Sequence, residues 1–85
     1  MSTVILPPIL NYEHYKNIRE LLYEHMANDD NQLILDFQSV NYIDSSIIGL
    51  FVFLKNKYPH YKINLINKND LIKKTFDVLC IGDSL

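Results

Sequence analysis

The densest chemistry in this 85-residue chain is Asp44-Ser45-Ser46, set between Tyr42-Ile43 and the apolar run Ile47 to Leu54. A carboxylate followed by two hydroxyls suits a helix start. Asp and Ser side chains accept hydrogen bonds from first-turn N–H groups that have no intrahelical partner. Serines placed there, beside an apolar ridge, also suit a docking site controlled by phosphorylation. A phosphate brings about −1.5 to −2 charge units, and next to Asp44 it would disrupt an apolar contact by repulsion and desolvation.

Other chemistry is excluded by spacing. A serine hydrolase needs a base positioned beside its nucleophile. No Gly-x-Ser-x-Gly occurs, and His14, His25 and His60 fall in helix, helix and turn without reach to Ser45. The histidines have no i, i+3 or i, i+4 partners and Cys80 stands alone, so no metal site is expected. With only Gly49 and Gly82, no glycine-rich phosphate loop can form, and no cofactor is expected. Asp36, at a strand end, reads as a loop hydrogen-bonding residue, and the six tyrosines form no base-stacking array. The expectation is a protein that is not an enzyme.

The elements that must position the serines alternate. Val4-Ile5-Leu6 is a short strand stopped by Pro7-Pro8. Asn11 is the expected N-cap of a first helix, with Tyr15, Ile18, Leu21, Leu22 and Met26 as its apolar stripe and Asn28 to Asn31 as its polar end. Leu33 to Phe37 reads as a central strand and Lys62 to Ile66 as a third. A second helix runs from Asp44-Ser45-Ser46 to about Lys57 before Pro59. Asn69-Asp70 caps a last helix that carries Ile72, Phe76 and Leu79, with Gly82 beyond its end.

This order predicts an α/β domain with a small, mostly parallel sheet of three to four strands and crossover helices packed on one face. The opposite face would carry Thr3, Ile5, Ile34, Asp36, Asn64 and Ile66, or the alternate set if the register is shifted by one, apolar enough to predict a partner or a homodimer there. The second helix is apolar nearly all round. Ile47, Leu50, Phe51, Leu54 and Tyr58 face the sheet, while Ile48 and Val52 form a second ridge for a partner. Gly49, unfavourable in a helix by roughly 0.5–1 kcal/mol, points to close approach of another backbone, within the fold or across an interface.

Size and charge set the remaining bounds. Eighty-five residues with 48% hydrophobic and 21% charged residues make one small domain, spanning 1–85, with no room for a separate cofactor domain. An ordinary stability per residue gives roughly 4–13 kcal/mol in all. A single cysteine forms no internal disulfide, and no signal peptide or bilayer-length apolar run is evident, so a cytoplasmic setting is expected. Residues 1–54 carry a balance of −5, from Lys16 and Arg19 against seven acids. Residues 55–74 carry +5, from six lysines against Asp70. The basic stretch has no Arg to read base edges, so it is expected to be a solvated face that steers an acidic partner rather than a nucleic-acid surface.

At Leu33-Ile34-Leu35-Asp36-Phe37, Val40 and Ile43-Asp44-Ser45-Ser46-Ile47-Ile48-Gly49 the chain resembles the STAS domain, the family of bacterial anti-sigma factor antagonists. The family's hallmark is a buried strand ending in Asp-Phe or similar, a short loop, and an Asp-Ser-Ser-Gly-Leu-Gly-type helix start. The likeness runs in order and spacing over about residues 3–80, with Ile47 and Ile48 standing where the family has glycine and leucine. The resemblance implies that Ser45, the serine after the Asp, is phosphorylated by a partner anti-sigma serine kinase, an ATPase. The unphosphorylated form would bind that kinase and free a sigma factor. Asp44, Ser45, Ser46, Ile48, Gly49 and Val52 are then the expected partner-binding residues. A second reading is a constitutive accessory subunit of an ABC-type lipid or solute transporter, clamping its ATPase without phosphorylation. Ile47 and the apolar helix favour it, because permanent interfaces are more hydrophobic.

Overall fold

The computed structural model describes residues 2–27 and 32–78. Strand β1 (Ser2–Ile5) gives way at Pro7-Pro8 to a two-residue strand β2 (Ile9–Leu10), then to one 3-10 turn at Tyr12–His14 and helix α1 (Tyr15–Ala27). Strands β3 (Gln32–Asp36) and β4 (Tyr42–Ile43) precede helix α2 (Ser45–Lys57), which is followed by β5 (Lys62–Ile66) and α3 (Asp70–Val78). The expected polar turn at 28–31, Leu79, Cys80 and Gly82 lie outside the described residues.

Three strands pair in the order β1-β3-β5, all parallel, as strand–helix alternation predicts. The register sets Thr3 beside Ile34 and Asn64, and Ile5 beside Asp36 and Ile66. These six residues share the face expected to lie opposite the helices. Val4, Leu33, Leu35 and Ile63 alternate with them and enter the core. The open face is less apolar than its sequence suggests. Ile5 is 59% and Ile66 39% exposed, Thr3 and Asn64 are polar and exposed, and Asp36 is buried.

A second sheet, the parallel pair β2-β4, is an addition to the expected architecture. Its cause is Pro7-Pro8. A proline has no N–H to continue the β1 ladder, so the chain leaves the main sheet after the Leu6 N–H donates to the Asp36 carbonyl at 3.0 Å. The Pro8 carbonyl instead accepts from the Asn41 N–H at 2.8 Å. The start of the first helical segment also differs from expectation. The Asn11 side chain makes no cap hydrogen bond, and its carbonyl accepts from the His14 N–H at 3.0 Å as part of the 3-10 turn. The regular helix therefore begins four residues later, at Tyr15.

The core is pinned by aromatic contacts. Phe37, just after β3, meets both Phe51 of α2 and Phe76 of α3 edge-on, with ring centroids 6.1 Å apart in each case. Ile18 and Leu22 of α1 and Ile72 of α3 complete the buried stripes anticipated from helical spacing. On α2, Ile47, Leu50, Phe51 and Leu54 are buried as expected, but so is Ile48, at 3% exposure. The ridge assigned to Ile48 and Val52 is thus corrected. Helix α1 also packs on α2, so a second side of that helix is covered by the chain's own core and Ile48 is not available to a partner. No described helix is long and apolar enough to cross a membrane.

Candidate partner-docking site

The β2-β4 pair delivers the Asp-Ser-Ser segment to the surface. The Asp44 N–H donates to the Leu10 carbonyl at 3.0 Å, which fixes Asp44 in extended backbone (φ −104°, ψ 173°) at the N-cap of α2. Asp44 Oδ1 accepts from the N–H groups of Ser46 at 3.1 Å and Ile47 at 3.3 Å, and from the Ser46 hydroxyl at 2.5 Å. Asp44 Oδ2 accepts from the Tyr12 N–H at 3.0 Å. Partial burial pushes this carboxyl up, while the Ser46 hydroxyl and the backbone donors pull it down. The balance leaves it below the usual aspartate value of 3.8.

These bonds separate the two serines. The Ser46 hydroxyl is bound to Asp44 and the residue is half-buried, whereas Ser45 is exposed on the first turn of α2. Further along the same face come Gly49, Val52, Phe53 and Asn56, spaced so that they share one side of the helix. Gly49 is exposed, and a Cβ built on it would meet nothing within 4 Å. Close approach of another backbone within the fold, one of the two uses expected of this glycine, is therefore absent. Val52 is half-buried, and Phe53 is 48% exposed with the Lys57 ammonium 5.4 Å from its ring centroid. Of the residues expected to bind a partner, the fold brings Asp44, Ser45, Ser46, Gly49 and Val52 to one surface and withdraws Ile48.

Beside Ser45 opens a groove of about 600 Å³ between the β4–α2 junction and α3. Tyr42 and Asp44 form one side. Leu71, Lys74, Thr75 and Val78 form the other, on a single ridge of α3. Asn69 holds the two walls together. Its side chain accepts from the Ile72 N–H at 2.9 Å, capping α3, and donates to the Val40 carbonyl at 3.1 Å in the approach to β4. On the α3 ridge, sequence reading marks only Lys74, as part of the basic stretch. A signal existed in Leu71 and Val78, apolar positions seven apart that lie off the buried stripe of Ile72 and Phe76.

Asp36 is structural. Buried at the end of β3, it accepts from the Gln38 N–H at 2.9 Å, Gln38 Nε2 at 3.2 Å and Asn67 Nδ2 at 3.0 Å, closing the loops after β3 and β5. Asn67 adopts φ 59°, a left-handed turn position that asparagine tolerates better than most residues. His14, His25 and His60 lie in the 3-10 turn, in α1 and in the turn before β5.

Compared with known proteins, the chain matches the family model of the STAS domain over residues 6–80. No curated protein matches it.

Proposed function

The chain belongs to the STAS domain family, and from that premise we propose that it is a regulatory protein-interaction module whose α2 start docks a partner and is switched by phosphate on Ser45. The observation that carries this reading is the separation of the serines, with Ser45 open beside a groove and the Ser46 hydroxyl bound to Asp44. The partner is a serine kinase of the anti-sigma type. In the transfer, Ser45 Oγ attacks the γ-phosphorus of ATP held by that kinase. An O–P bond forms, the bond to ADP breaks, and the hydroxyl proton passes to a kinase base. The added charge then faces Asp44 and the exposed apolar groups of α2, which weakens docking. Incubation with the cognate kinase and mapping by mass spectrometry tests this directly. Phosphate found only on residues other than Ser45 overturns the switch.

One observation favours a second reading, a constitutive subunit that clamps a transporter ATPase. Gly49 and the half-exposed Phe53 offer a flat apolar helix face of the kind used in permanent interfaces. A stable stoichiometric ATPase complex on co-purification, without phosphate on Ser45, supports it over the first. In either reading the open sheet face around Ile5 and Ile66 is assigned to a second copy of the chain.

A further inference from the structure

Taking Ser45 as the phosphate acceptor proposed above, we propose that Lys74 is the internal counter-ion of that phosphate, so that modification closes the groove between α2 and α3 with an ion pair inside the chain. Lys74 and Ser45 line the same groove from opposite walls. A lysine ammonium rides on a flexible four-carbon stem, which suits it to seek an anion on the facing wall. Phosphate supplies three strong acceptor oxygens, and ammonium–phosphate bonds are charge-assisted.

Other side chains are engaged or lie away from the groove. The Thr75 hydroxyl donates to the Leu71 carbonyl at 2.9 Å, so its proton is committed to the helix. The Lys68 ammonium lies 4.9 Å from the Phe76 ring centroid, on the core side of α3. Lys57 sits over Phe53 and Tyr58 at the far end of α2. Among the described residues, Lys74 is the one cation lining the groove. Asp44, the one acid among the described residues lining the groove, accepts from the Tyr12, Ser46 and Ile47 N–H groups, which offsets its repulsion of the incoming phosphate. Phosphorylation on this geometry acts twice: it removes the free hydroxyl and fills the groove from within.

The test uses protein carrying phosphoserine at position 45, installed during translation so that no kinase is required. The phosphate is titrated by phosphorus NMR in the parent and in Lys74→Gln and Lys74→Arg variants. Among the described residues, Asp44, Tyr42 and Lys74 are the titratable groups lining the groove, and only Lys74 is changed. A neighbouring cation favours the dianion, so the midpoint in the parent is expected about half a unit below that of Lys74→Gln, with Lys74→Arg matching the parent. The difference should shrink as salt is raised. Equal midpoints in the parent and Lys74→Gln overturn the proposal. Failure of a kinase to modify Ser45 would instead count against the switch, and the two results are read independently.

Discussion

The Asp44 carboxylate accepts a hydrogen bond at 3.0 Å from the backbone N–H of Tyr12, 32 positions away in sequence, while also capping its own helix. One side chain therefore fastens the start of the first helical segment to the start of α2. The position of Ser45 is set by this double tie and by the β2-β4 pair that anchors the Asp44 backbone.

Removing that carboxylate should cost more than an ordinary cap. Asp44→Ala is expected to destabilise by about 1–2 kcal/mol, at the upper end of the range for N-caps, because the Tyr12 N–H loses its acceptor as well. Urea unfolding monitored by circular dichroism measures it. A loss under about 0.5 kcal/mol would show that the tie to Tyr12 contributes little.

The same group predicts an acid response. Its folded titration point lies below the ordinary aspartate value, so its stabilisation is complete above the unfolded pKa near 3.9 and is lost as pH falls through the folded value. Asp44→Asn keeps a capping oxygen but does not titrate. The stability difference between the parent and Asp44→Asn should be constant at neutral pH and move against the parent below about pH 4. Parallel unfolding curves down to pH 2.5 or so would remove Asp44 from the acid limb.

The two serines should behave oppositely. Ser45→Ala is expected to leave stability and partner binding near parental values and to abolish phosphorylation, while Ser45→Asp weakens docking. Ser46→Ala should remain a kinase substrate yet lose roughly 0.5–1 kcal/mol with the bond to Asp44. Mass spectrometry and pull-down on the same preparations separate these outcomes; identical behaviour of both alanine variants would reduce the segment to a helix cap.

Gly49→Ala carries a signed prediction on two measurements. With open space around the missing Cβ, alanine should stabilise α2 by about 0.5–1 kcal/mol. If a partner backbone crosses there, the same change should lower partner affinity even as the melting temperature rises. Unchanged affinity in the stabilised variant would place the partner elsewhere on the helix.

Phe37→Ala removes the ring shared by α2 and α3 and should cost about 3–5 kcal/mol. Against an expected total of roughly 4–13 kcal/mol, this leaves a partly or wholly unfolded chain. Thermal melts report it directly, and near-parental melting would contradict the assignment of Phe37 as the pin.

Self-association tests the open sheet face. Sedimentation at high micromolar concentration should show a dimer that Ile5→Lys dissociates, given the exposure of Ile5 on the edge strand. A monomer at that concentration would leave the face to solvent, consistent with Thr3 and Asn64 diluting its apolar surface.

The amino-acid pattern determined a good deal by itself. The strand–helix order and the Asp44 cap follow from interactions between near neighbours: period-two and period-3.6 burial, proline breaks, and a carboxylate within three residues of the N–H groups it binds; the alternation implies a parallel sheet, and the strand register then decides which set of side chains lies on each face. What required the tertiary structure depends on distant residues meeting. Ile48 reads as free ridge until the folded core buries it, because a helix pattern records which positions are apolar but not what will pack on them. Asn11 looks like a cap until the chain tightens into a 3-10 turn tied to Asp44. That the Ser46 hydroxyl is bound while Ser45 stays exposed depends on where the folded chain sets Asp44. The groove exists because Asn69 joins α3 to the approach to β4 across 29 positions, a distance over which local propensity has no hold.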